Sequence, residues 1–115
     1  MRAALVAVAL ALAMAAPAAA HVGVKSYSPK RGATVARTLE RVKVTFKGKI
    51  TDGHLTVRNA GGTKVSIGQG KVVSGKRAVR ARLKDGLAKG TYTASFSVLN
   101  TDGHVMNKSW TFNLK

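Results

Sequence analysis

The sequence contains no cysteine, and only two prolines, four acidic residues and six aromatic residues occur among its 115 positions. The absence of cysteine excludes disulfides, thiolate catalysis and thiolate metal sites, so any metal ligand must be a nitrogen or an oxygen atom. The shortage of acids leaves a formal charge of +16. Such a charge favours anionic partners or surfaces through long-range fields, but it does not determine the fold. No segment shows a sustained 3.6-residue apolar period, so we predict no helix.

The longest apolar run stands at the start of the chain. Residues 1–20 contain one basic residue, Arg2, followed by an Ala/Val/Leu run that ends in Ala18-Ala19-Ala20, which are the small residues that a signal peptidase requires. The run from Ala3 to Ala16 is shorter than the roughly 20 residues needed to cross a bilayer. We therefore expect a signal peptide over residues 1–20, cleaved after Ala20, and one small domain over residues 21–115.

Beyond residue 20 the apolar pattern has a period of two, which is typical of strands with one buried face. The pattern is clearest over 42–46, 79–83, 92–98 and 110–114, and weaker over 22–27, 54–58 and 64–68. Turn signals separate these segments at Asp52-Gly53, Gly61-Gly62, Gly68 to Gly70, Asp85-Gly86 and Asp102-Gly103. About seven short strands at this spacing predict an all-β protein, either a sandwich or a barrel.

The polar positions of these strands are rich in Lys and Arg. Half-buried strands need polar outward faces, and basic side chains also discourage edge-to-edge aggregation. The alternative is a basic module that binds an anionic polymer or membrane surface. A nucleic-acid surface would need exposed aromatic rings for base stacking. The aromatic residues here stand at core-facing positions, so we expect no nucleic-acid partner.

Histidine occurs at three positions, His21, His54 and His104, and the last two each end a Thr-Asp-Gly-His tetrapeptide. For the first copy we interpret Asp-Gly as a turn signal and His54 as an exposed strand residue, with an accessory ligand as the weaker alternative. The second copy lies between two strong strands, at a sheet end where loops gather. If the backbone is extended there, Asp102 and His104 point to the same side, and their donor atoms can converge.

A metal site built on this pair needs a third ligand. His21, the first residue after the expected cleavage, can supply two nitrogens, those of its ring and its α-amino group. Nitrogen and oxygen donors in a tetragonal set suit Cu(II), which also heads the divalent affinity order. The sequence therefore predicts a site for one Cu(II) ion per chain, built from His21, Asp102 and His104.

Three blocks of the sequence together resemble the CopC family of bacterial periplasmic copper-resistance proteins. The first block is His21 with Ser28-Pro29 and Gly32, and the second is the strand sequence RVKVTF. The third block comprises Leu87 to Tyr92, Asp102-Gly103-His104 and Ser109 to Phe112. The resemblance implies a Greek-key, immunoglobulin-like β-barrel or sandwich and a Cu(II) site at His21, Asp102 and His104. It also implies a periplasmic role in copper homeostasis and resistance, not catalysis.

The sequence also departs from this family pattern. Lys47, Gly48 and Lys49 stand where some members carry a carboxylate, and Val105 replaces the usual proline. Met106 is the single methionine after residue 20, so we expect no Cu(I) site. We expect a monomer or weak dimer, with a membrane copper importer of the CopD type as a candidate partner.

A different activity is also compatible with a histidine at the N-terminus. Polysaccharide monooxygenases are copper oxidative enzymes that use an N-terminal histidine chelate on a β-sandwich. This alternative is the weaker one, because 95 residues leave little surface for a substrate. Asp102 would also fill a copper position that oxygen activation keeps open.

Overall fold

The computed structural model describes residues 22–115, which form eight β-strands in two four-stranded sheets. The first sheet has the strand order β1-β3-β6-β5 and the second has the order β2-β8-β7-β4. The strands are β1 Val24–Ser28, β2 Thr34–Val35, β3 Arg41–Phe46, β4 Ile50–Arg58, β5 Ser66–Val73, β6 Ala78–Leu83, β7 Gly90–Asn100 and β8 Val105–Leu114. The two separate sheets make a sandwich and not a closed barrel, which confirms the all-β prediction with eight strands instead of about seven.

The core lies between the two sheets and follows the two-residue alternation. In β3, Val42, Val44 and Phe46 are at most 1% exposed, whereas the residues between them face outward. The ring of Phe46 meets that of Phe96 on the opposite sheet edge-to-face, with centroids 5.5 Å apart. Burying each such side chain stabilises the fold by about 1.5–3 kcal/mol. Within residues 22–115, no helix is long and apolar enough to cross a membrane.

Two of the predicted turns are wrong. Asp52-Gly53 lies inside β4 and not between strands. A Cβ atom at Gly53 would lie only 2.7 Å from Val79 Cγ2 and 2.9 Å from Val98 Cγ1, so this glycine allows close packing of the sheets. The segment Gly68 to Gly70 lies inside β5, where the pairing with β6 shifts register between Ile67 and Lys71. Glycines in a strand mark a bulge or a close approach as well as a turn.

Three segments near the predicted site lie at one end of the sandwich: residues 47–49, residues 101–104 and the start of the described chain. Ile50, which begins β4, pairs with Asn100, which ends β7, so the connections 47–49 and 101–104 lie at the same end. The start of the described chain is there too, because β1 pairs antiparallel with β3 and the Lys47 N–H donates to the Gly23 carbonyl at 2.9 Å. The start of the described chain at Val22 and Gly23, which we call the chain entry, and the second Thr-Asp-Gly-His copy therefore lie at the same end of the sandwich.

Candidate metal centre

The loop that follows β7 is a tight turn. The Gly103 N–H donates to the Asn100 carbonyl at 3.0 Å, and the Asn100 N–H donates to the His104 carbonyl at 2.8 Å. Gly103 has a φ of 91°, a conformation that glycine adopts without a steric penalty. The predicted turn at Asp102-Gly103 is therefore confirmed, and it places Asp102 and His104 at the entrance to β8.

Asp102 and His104 are in direct contact within this turn. The His104 N–H donates to Asp102 Oδ1 at 2.9 Å, and His104 Nδ1 lies 3.1 Å from Asp102 Oδ2. The His104 side chain is 65% exposed and that of Asp102 is 24% exposed. The predicted convergence is thus present, but its predicted cause is wrong. The pair meets because the turn folds the imidazole back on the carboxylate, and not because the backbone is extended.

The third predicted ligand, His21, lies outside the described residues. The segment that follows it is ordered by the first sheet and the core. Val22 is partly buried against the core, and its methyl groups lie 3.8 and 3.9 Å from where a Cβ atom of Gly48 would stand. The chain thus enters the sandwich beside the 47–49 connection, at the end that carries Asp102 and His104.

The other copy of the tetrapeptide has a different structure. His54 lies within β4, exposed on the outer face of the second sheet, which confirms the interpretation of an exposed strand residue. Asp52 Oδ1 accepts a hydrogen bond from the adjacent Gly53 N–H at 2.8 Å. Within residues 22–115, no three His, Asp or Glu side chains form a group that could hold a metal. Of the two copies, only the second brings its acid and its imidazole together in the part of the chain described.

Asn100 is a residue beneath the turn that the sequence analysis missed. It is 1% exposed, and neither its Oδ1 nor its Nδ2 has a hydrogen-bond partner among the described residues. An unsatisfied buried amide costs about 1–3 kcal/mol of stability. This amide stands directly before Thr101 and Asp102. The alternation of β7 contains the signal, because Tyr92, Phe96 and Asn100 share the inward parity.

Comparison with known proteins identifies the family and the fold. The model of the CopC domain family matches residues 24–115, and no curated protein matches the chain. The crystal structure of CopC from Methylosinus trichosporium OB3b is similar at a TM-score of 0.70 and 25% identity, covering 83% of this chain and 94% of that one.

A second solved structure shares the fold. PcoC, a methionine-rich copper resistance protein from Escherichia coli, is similar at a TM-score of 0.67 and 21% identity, over 84% of this chain and all of the other (100%). The family model covers the whole sandwich and the Asp102–His104 turn, and the matched structures reproduce the two-sheet architecture. The chain therefore belongs to the CopC family.

Proposed function

We propose that this protein is an exported copper(II)-binding protein of copper homeostasis and resistance, which carries or buffers the ion and does not catalyse a reaction. One Cu(II) would be bound by the α-amino and ring nitrogens of His21 together with Asp102 and His104. The observation that carries the proposal is the 3.1 Å contact between Asp102 Oδ2 and His104 Nδ1, at the end of the sandwich where the chain enters. Membership of the CopC family supports it.

The donor atoms of this turn fit a first-row metal ion. Nitrogen and carboxylate ligands bind such ions at about 2.0–2.2 Å, so two donors at a right angle around one ion stand about 3 Å apart. The 3.1 Å separation of Asp102 Oδ2 and His104 Nδ1 therefore needs little adjustment. The turn holds the carboxylate in place, because its other oxygen already accepts the His104 N–H at 2.9 Å.

In this proposal copper is the cargo of the protein, and the His104 ring and the Asp102 carboxylate determine how the ion is bound and released. His104 Nδ1 lies 3.1 Å from Asp102 Oδ2. A bound ion would take its place between these two atoms, since ligating nitrogens must be deprotonated. The large exposed fraction of His104, 65%, leaves the ion accessible to a receiving protein, as a carrier requires.

Export is part of the same proposal. The domain assignment is a signal peptide over 1–20 and a copper-binding domain over 21–115, so that cleavage after Ala20 creates the α-amino ligand of His21. The proposed location is the periplasm, with a membrane importer of the CopD type as candidate recipient and a monomer or weak dimer as the working form. Isolation of the secreted protein and sequencing of its first residues tests the cleavage point.

The two tetrapeptide copies provide a matched test of the ligands. In the protein that begins at His21, we expect one Cu(II) per chain by isothermal titration. Removing one imidazole ligand by His104→Ala should weaken affinity by about 100-fold or more, beyond the 10–100-fold that outer partners contribute. His54→Ala removes the equivalent residue of the other copy and should leave affinity within threefold. Equal losses in both variants would exclude Asp102 and His104 as the specific site.

Acid should release the ion. Imidazole and α-amino groups bind copper only when deprotonated, and the free groups have ordinary pKa values of about 6.5 and about 7.7–8.0. Lowering the pH protonates the donors, so affinity should fall at least about tenfold per pH unit below pH 6.5. Competition titrations with a chelator of known pH dependence measure this slope. A flat profile between pH 7 and pH 5 would rule out imidazole and amine ligands.

A further inference from the structure

Five cations share the outward face of the first sheet. They stand at the outward positions of β3, β5 and β6, and we call them the cationic face: Arg41, Lys43, Lys71, Arg80 and Arg82. Arg41 lies directly opposite Arg82, and Lys43 directly opposite Arg80, across the β3–β6 pair. Lys71 lies opposite Arg80 across the β5–β6 pair. Side chains in such pairs have Cβ atoms about 4.5–5.5 Å apart, so like charges there oppose folding.

No acidic side chain of the described residues neutralises the charges of the cationic face. None of its five side chains forms an ion pair with a carboxylate of residues 22–115. The acids lie elsewhere. Glu40 and Asp85 line a hollow at the end of the sandwich opposite to Asp102. Asp52 is in the second sheet, and Asp102 is in the turn before β8. The repulsion between these like charges on neighbouring strands is a cost that a bound anionic surface would reduce.

The opposite face of the sandwich shows that this clustering is not a general need for solubility. Among the described residues, the exposed positions of β4, β7 and β8 carry two cations, Arg58 and Lys108, one acid, Asp52, and His54. The other outward positions are mostly hydroxyl or amide side chains: Thr56, Thr93, Ser95, Ser97, Asn107, Ser109 and Thr111. Solubility would be served equally by charges on both faces. The asymmetry instead gives the domain one face with five cations and no acid, and an opposite face with two cations and one acid, among the described residues.

An exposed apolar side chain lies among the cations. Ile67 is 53% exposed and lies opposite Arg82 in the β5–β6 pair. Together with Arg41, Lys71 and Arg80 these residues line a shallow hollow of about 380 Å³. Basic groups around a protruding apolar side chain match a bilayer surface, where anionic headgroups lie above hydrocarbon.

We propose that the cationic face docks this protein on a lipid bilayer that carries anionic headgroups. The five charges spread over three adjacent strands, and so over a surface and not along a line as a polymer backbone would require. Five of the six aromatic residues are buried and Tyr27 is half-buried, which leaves no exposed ring for stacking nucleic-acid bases within residues 22–115. Docking on this face is independent of copper, and it leaves the end that carries Asp102 and His104 uncovered.

Vesicle cosedimentation with two matched triple variants tests the proposal. The protein that begins at His21, which includes the whole sandwich, should bind vesicles of phosphatidylcholine with phosphatidylglycerol, but not phosphatidylcholine alone, and salt should weaken binding. Replacing Lys43, Lys71 and Arg82 by Gln should weaken it about 100-fold, or roughly fivefold per cation. Replacing Arg58, Lys89 and Lys108 by Gln removes the same charge from other surfaces and should cost less than about fivefold in total.

A fluorescent label reports the orientation. Because the chain contains no cysteine, Ile67→Cys and Ser109→Cys each provide a single labelling site, on the cationic face and on the opposite face. An environment-sensitive dye at position 67 should shift to the blue on anionic vesicles, and the dye at 109 should not. Equal losses in the two triple variants, equal shifts of the two dyes, or tighter face-dependent binding to single-stranded DNA than to vesicles would overturn the proposal.

Discussion

A single extra residue in front of His21 should abolish tight Cu(II) binding. In the proposed site, the α-amino group and the ring of the same residue form one chelate, and adding an alanine converts that amine into an amide. An amide nitrogen binds only after Cu(II) displaces its proton, so the extension replaces the amine and ring chelate of His21 with a different, less favourable donor set next to Asp102 and His104. We expect affinity to fall by more than about 100-fold, exceeding the effect of an outer-shell change, as measured by competition with a calibrated chelator.

The control is an alanine added after Lys115, which changes length and mass without touching the chain entry. Its affinity should equal that of the protein beginning at His21, and both extended proteins should keep the same Tm. If the N-terminal extension binds Cu(II) within threefold of the parent, the His21 chelate is wrong. The other case is a copper site that uses Asp102 and His104 without that chelate. Loss in His104→Ala with no loss in the extended protein separates these two cases.

Trp110→Ala should give the largest loss of stability. Trp110 is 3% exposed and its ring lies 4.4 Å from that of Tyr27, centroid to centroid. Its Nε1 donates to the Pro29 carbonyl at 2.9 Å in the buried interior, so the side chain in β8 of the second sheet is anchored beside β1 of the first. Truncating a buried tryptophan costs about 3–5 kcal/mol of the free energy of unfolding, and this should lower Tm by about 15 °C or more.

Urea denaturation followed by circular dichroism measures this loss. Trp110→Phe separates packing from hydrogen bonding, because it keeps most of the apolar volume but leaves the Pro29 carbonyl unpaired. We expect it to cost about 1–3 kcal/mol. Ser109→Ala, on the outer face of the same strand, should stay within about 0.5 kcal/mol of the parent. A Trp110→Ala protein within 1 kcal/mol of the parent would contradict the role assigned to this ring.

The strand pattern was predictable where one face of a strand meets the core and the other meets solvent. The segments 42–46, 79–83, 92–98 and 110–114 all lie in observed strands. The two-residue β2, Thr34–Val35, was missed because it is too short to show a period. β5 was predicted over 64–68 and runs over Ser66–Val73, because its glycines form a bulge that sequence patterns do not distinguish from a turn.

The candidate site also shows that a sequence motif alone does not determine its local structure. Thr-Asp-Gly-His occurs twice, and the same four residues form part of a strand at 51–54 and a turn at 101–104. At Gly53 the tertiary environment decides, since Val79 and Val98 leave no room for a side chain. At Gly103 the local turn decides, through a positive φ. Only the second setting brings the carboxylate and the imidazole within 3.1 Å.

The sequence by itself determined the all-β class, the two-residue burial pattern and the family, because local alternation and spaced motifs are written along the chain. It also determined that any metal ligands are nitrogen and oxygen, since there is no cysteine. Only the tertiary structure decided which cations share a face, since strand order and register set neighbours across β3, β5 and β6. It likewise decided that the chain entry and the Asp102–His104 turn meet at one end, through pairings between residues far apart in sequence.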